Sequence, residues 1–205
     1  MNELVWLSLR RNRGWPWPEE SFGLTPLYGE DGWCRACGVP QVPQIGPLTL
    51  QRRNLTVSGA WVPNWRFDSY CAEKVVALEV AERFGVGLRP VAWPAKSPGD
   101  AFQLESPVTV APWFDPDELA ACTVRRHKRA GATCPTCGVW RWMPLHYEEL
   151  PPLRLPRECD DMPLVASPEW FGDGWMAYHQ VLVRLDLAEF LVEASPRDFV
   201  IKAVI

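Results

Sequence analysis

Cys34-Arg35-Ala36-Cys37-Gly38 and Cys134-Pro135-Thr136-Cys137-Gly138 are two copies of one pattern, C-x-x-C followed by glycine. Two residues between the thiols let one short turn aim both sulfurs at a single point. The trailing glycine suits that turn, because the backbone there often needs φ > 0 and only glycine adopts it cheaply. Two such turns facing each other make a tetrahedral four-thiolate site, the usual structural zinc arrangement. Cys34, Cys37, Cys134 and Cys137 are therefore the candidate metal ligands, with Zn2+ as a structural cofactor. A lone C-x-x-C reads as a redox motif, a zinc half-site or chance, and the repeated glycine strengthens the zinc reading. The spacing weakens it: residues 38–133 separate the pairs, whereas a compact zinc ribbon has roughly 15–20 residues there. The turns meet across a large insertion or belong to separate sites, and both arrangements stay open. A thioredoxin-like role is disfavoured, since neither motif lies between a clear buried strand and a helix.

Composition bounds the rest. A chain of 205 residues that is 47% hydrophobic and 22% charged is globular and long enough for a real core. No apolar run approaches the ~18 residues of a membrane span, and Met1–Leu9 lacks a basic leader, so a cytoplasmic location with reduced thiols is expected. The remaining Cys71, Cys122 and Cys159 read as small core hydrophobes. A formal net charge of −4 does not suit a general nucleic-acid binder. The 21 prolines limit the length of regular elements, and the 12 tryptophans favour cores with polar edges and interfaces.

Along the chain, Glu3–Leu9 reads as a strand too continuously apolar for a solvated face. Leu48–Leu50, Asn54–Val62, Gly87–Trp93 and Pro107–Trp113 read as short strands, with a Pro/Gly/Ser loop at Pro94–Asp100. A helix is expected from Asp68 or Ser69 to Phe84, closed by Gly85, with Cys71 in its first turn. A second opens at Asp115-Pro116-Asp117-Glu118 and runs to about Arg129. The tail reads as a strand at Trp175–Val183, a helix at Asp186–Ala194 and a strand at Phe199–Ile205. Together these predict an α+β fold with a mixed or antiparallel sheet and a few helices, stapled by a zinc-ribbon-like four-cysteine site. Residues 1–205 read as one domain, with an inserted lobe of roughly 45–130.

Two segments are candidate partner-binding sites. Trp15 and Trp17, in Gly14-Trp15-Pro16-Trp17-Pro18, form either a packed surface loop or a recognition segment. Arg125, Arg126, Lys128 and Arg129 lie just before the second cysteine turn, with Trp140 and Trp142 after it, a layout that could contact nucleic acid. Cations are also what the C-terminus of a helix prefers. His127 between them reads as solvated. Catalytic groups are sparse: His127, His146 and His179 are the three histidines, and no nucleophile elbow, zinc-protease motif or phosphate-cradling loop is present. The chain reads as a non-enzyme.

The two distant C-x-x-C-G motifs, the Pro/Trp-rich middle and the tail around Asp186–Lys202 resemble the myxobacterial double-CXXCG family. The match covers Cys34, Cys37, Gly38, Cys134, Cys137, Gly138 and the general form of residues 170–205. Some members of that family are described as immunity proteins. The resemblance implies a cytoplasmic, non-enzymatic bacterial protein that neutralises a cognate protein toxin by binding it. The alternative class is a zinc-ribbon nucleic-acid-binding or regulatory protein that uses the basic run.

Overall fold

The computed structural model describes residues 3–53, 55–94 and 99–204. Its strands are β1 (Leu4–Leu9), β2 (Ala60–Trp61), β3 (Cys71–Glu73), β4 (Leu88–Pro90), β5 (Ala101–Leu104), β6 (Gly131–Thr133), β7 (Trp140–Trp142), β8 (Leu164–Ala166), β9 (Val181–Arg184) and β10 (Phe199–Ala203). Its α-helices are α1 (Leu24–Tyr28), α2 (Lys74–Phe84), α3 (Pro116–His127) and α4 (Leu185–Ala194). The strands form a four-stranded sheet in the order β10-β1-β9-β8, a second in the order β2-β3-β5-β4, and the β6-β7 hairpin. Every pairing between these strands is antiparallel. The molecule is thus a mixed α and β structure built on antiparallel sheets.

The apolar run in β1 is explained by burial on both faces. Val5 and Leu7 enter one core, and Trp6 enters another. The same two-residue period sorts β9, where Val181 and Val183 go one way and Leu182 the other, and β8, where Leu164 and Ala166 oppose Val165. The first core also takes Ala60, Ala72 and Leu104 from the second sheet, Ala77 and Val80 from α2, and Leu187, Ala188 and Leu191 from α4. Strand residues on either side of the cysteine turns therefore share one core. The second core packs Trp113, Phe114 and Leu119, at the start of α3, against Trp6 and Phe171. A third gathers Leu48, Leu50, Trp61, Val91 and Trp93 around the opposite face of the second sheet.

Several elements differ from the sequence expectation. The helix placed from Asp68 or Ser69 begins at Lys74, because Cys71, Ala72 and Glu73 are held extended between β2 and β5. Cys71 is accordingly a buried strand residue. The strand expected over Asn54–Val62 shrinks to β2, with Asn54 itself outside the described residues. Pro107–Trp113 makes one isolated parallel bridge, Val108 to Ala166, and Leu48–Leu50 likewise makes only isolated bridges. Trp175–Val183 becomes strand only from Val181. In the shortened strands, apolar side chains such as Leu48, Leu55, Trp113 and Ala177 are buried from loops that lack a continuous ladder partner. β5, β8 and the β6-β7 hairpin were too short and too irregular to stand out.

The α3 start follows the sequence reading. Asp115 accepts from the N–H groups of Asp117 (3.0 Å) and Glu118 (3.2 Å), and Pro116 takes the first turn. No described helix is long and apolar enough to cross a membrane.

Candidate metal centre

Each C-x-x-C-G segment folds into the same tight turn. The N–H of Cys34 donates to the carbonyl of Val39 (2.9 Å), and that of Gly38 to the carbonyl of Cys34 (2.8 Å). In the second turn Cys134 donates to Val139 (2.9 Å) and Gly138 to Cys134 (2.9 Å). Gly38 and Gly138 sit at φ +76° and +75°, the left-handed region that the motif anticipates. The second turn closes the β6-β7 hairpin, where Thr133 faces Trp140. The first is closed by a single bridge from Trp33 to Pro40.

The turns face each other. The Sγ atoms of Cys34 and Cys134 are 3.8 Å apart, and those of Cys37 and Cys137 are 3.6 Å apart. All four sulfurs lie within 4.8 Å of one another. A zinc–sulfur bond of about 2.3 Å gives a tetrahedron with edges of about 3.8 Å. A disulfide would need about 2.05 Å. The spacing and the donor set therefore fit a single tetrahedral four-thiolate ion. Cys34, Cys37 and Cys134 are buried with Val39 and Ala177, while Cys137 is half-buried beside Trp170. The N–H groups of Cys137 and Thr136 pull the Cys134 thiol down to about 6, whereas burial pushes Cys37 and Cys137 up.

Arg141 is the group around this centre that the motif did not announce. Its Nη1 donates to the carbonyls of Cys37 (3.0 Å), Gly174 (2.8 Å) and Met176 (3.1 Å). One guanidinium on β7 thus ties the first cysteine turn to the 174–176 loop, next to a cluster that becomes anionic when its thiols ionise. Its only sequence signal is a position four residues after Cys137.

No protein-family model, curated protein or solved structure matches the chain.

The remaining site residues fall on two surfaces. Trp15 is 50% exposed and Trp17 40% exposed, so both indoles stand on the outside of their loop. Trp15 and Phe22 border one cleft, and Phe22 packs on Trp65 (5.2 Å between ring centres) and Trp175 (5.9 Å). Trp175 in turn meets Trp33, beside the first cysteine turn, at 5.3 Å. Trp65 and Trp175 are also more than a third exposed. An aromatic surface therefore extends from the Trp15 loop to the metal centre. Phe22, Trp65 and Trp175 were not singled out in sequence because they come from three separate loops. Phe22 and Trp65 hold left-handed backbone at φ +48° and +63°, an unusual state for bulky side chains.

The basic run disperses around the end of α3. Arg126 faces Glu149 (3.4 Å) and Arg129 faces Asp173 (2.9 Å). Lys128 Nζ donates to the carbonyl of Arg125 (3.4 Å), and Lys128 itself caps the helix at φ +63°. His127 is half-buried rather than solvated, with Nε2 2.7 Å from the carbonyl of Pro144.

Proposed function

We propose that Cys34, Cys37, Cys134 and Cys137 hold one structural Zn2+, and that the protein is a zinc-stapled, non-enzymatic binding protein. The supporting observation is the pair of sulfur–sulfur distances, 3.8 and 3.6 Å, across turns from opposite halves of the chain. Four protein thiolates fill a tetrahedral ion, and a catalytic zinc keeps a position open. Binding would displace the protons of the high-lying Cys37 and Cys137 thiols, so metal affinity and folding are linked.

The double-CXXCG resemblance then suggests the kind of binding, neutralisation of a cognate protein toxin by direct contact. The aromatic surface of Trp15, Trp17, Trp65 and Trp175 is the face best suited to it, since large aromatic anchors dominate interface energies. The nucleic-acid alternative is less favoured, because Arg126 and Arg129 already stand opposite carboxylates.

The test is a tagged pull-down from native cells after nuclease treatment, repeated with Trp15→Ala/Trp17→Ala. A near-stoichiometric protein partner that the double variant loses supports the reading. Retention of nucleic acid in its place, with salt-sensitive binding, would move the assignment to the basic run.

A further inference from the structure

A cavity of about 520 Å³ opens where the segment after the first cysteine turn meets β5 and the β8–β9 connection. Arg66 lines it and is only 7% exposed. A guanidinium taken out of water is ordinarily answered by a carboxylate in direct contact, because an unpaired buried charge is strongly destabilising. Arg89, on the rim of the same cavity, has that answer in Glu105 at 2.5 Å.

Arg66 does not. Among the described residues no carboxylate stands within 4.0 Å of it. Its Nη2 donates to the hydroxyl of Tyr28 at 3.3 Å, and its buried Nε has no partner among the described residues. Burial pushes the Tyr28 phenol up, so this acceptor is uncharged at neutral pH. Asp68 is the nearby anion and supports the Arg66 charge through space, while its carboxylate accepts the backbone N–H of His179 (3.2 Å) and the hydroxyl of Ser69 (3.4 Å) instead of a guanidinium N–H. A second buried polar atom, Oγ of the lining residue Ser106, also lacks a partner among the described residues. Gln103 uses its carbonyl to accept from Gln44 (2.9 Å), which leaves its amide donors available. Trp170, tilted against the His179 ring with the ring centres 3.7 Å apart, gives the cavity an aromatic wall.

We propose that this cavity binds a small organic molecule through a carboxylate, anchored on Arg66. The volume falls in the range of about 300–1,000 Å³ typical of ligand pockets, well beyond the needs of a lone ion. The planar guanidinium fork matches a carboxylate, and a buried guanidinium with no carboxylate in direct contact among the described residues keeps donors for one. Asp68 and Glu105 on the lining disfavour a dianion such as phosphate. The site is separate from the cysteine cluster and does not depend on the identity of any protein partner.

The experiment titrates the purified full-length protein with sodium acetate, benzoate and pyruvate at constant ionic strength. Calorimetry and amide and indole NMR shifts provide the readout, with sodium chloride and phosphate as comparators. The expected result is saturable binding of a carboxylate, with the Trp170 indole and Ser106 amide among the shifted signals. Arg66→Lys, which keeps the charge and loses the fork, should weaken binding about tenfold or more. Gln103→Glu leaves Arg66 in place and sets a negative charge in the lining; it should weaken binding to a similar extent and decides the matter if Arg66→Lys fails to fold. No saturable binding of any of the three carboxylates up to about 10 mM would overturn the proposal. Equal binding of phosphate, or affinity unchanged in Gln103→Glu, would overturn it as well.

Discussion

Gly38 and Gly138 occupy the same place in two copies of one turn, yet their surroundings differ. Both hold left-handed backbone, so alanine at either costs roughly 1–2 kcal/mol of conformational strain. A Cβ on Gly138 would meet open space, whereas one on Gly38 would collide with the carbonyl of Trp175. Gly38→Ala should therefore lower the denaturation midpoint clearly more than Gly138→Ala. Equal losses would mean that the Trp175 loop yields freely. Asp198 makes a second residue-scale case. Its side chain is 3% exposed and takes Arg11 at 2.6 Å and Arg13 at 3.0 Å. Asp198→Ala removes the carboxylate from half-buried Arg13, whose Nη groups keep the carbonyls of Thr56, Ser58 and Ala60, and should cost about 3 kcal/mol in urea unfolding, the low end of the range for breaking a buried pair. A loss below about 1 kcal/mol would place the pair with ordinary surface salt bridges.

The helices make different predictions at their first turns. The Asp115 cap of α3 satisfies two backbone N–H groups, so Asp115→Ala should lower the urea unfolding midpoint, and an unchanged midpoint would mean that the cap adds nothing to the fold. In α4, a hydrogen bond from Arg184 holds Asp186 below the usual carboxylate range. A depressed folded-state pKa stabilises the fold at pH values above the unfolded pKa, about 3.9 for aspartate. That stability is lost as the pH falls through the folded value. The acid limb of an unfolding curve should accordingly be shallower in Asp186→Asn below about pH 4, with the two proteins differing by a constant amount above it. A difference confined to neutral pH would assign the effect to something other than this ion pair.

For the whole molecule, the decisive contact is the meeting of two cysteine turns across residues 38–133. Holding such distant positions together removes considerable freedom from the unfolded chain, and a structural metal contributes its binding energy directly to folding. Purified protein should carry one zinc per chain by elemental analysis. Cys34→Ser and Cys137→Ser, one from each turn, should each lose the metal and show a large fall in Tm, and chelation of the parent should reproduce that fall. A metal-free protein with unchanged Tm would remove zinc from the account.

The sequence alone determined the local features: the turn shape at each C-x-x-C-G, the glycine φ values, the α3 cap, and the apolar character of β1, β9 and α4. All of these depend on residues within about one turn or one strand of each other, where side-chain chemistry acts directly on the backbone. It left open whether the turns share a site, because 96 intervening residues carry no spacing rule. It also misplaced the start of α2, since the extended state of Cys71–Glu73 is imposed by strands paired to it from elsewhere. Only the tertiary structure brought Phe22, Trp65 and Trp175 into one surface, set Arg141 against the first cysteine turn, and left Arg66 in a cavity with no carboxylate in contact among the described residues. Those features arise from loops that meet in space, and a one-dimensional pattern does not record such meetings.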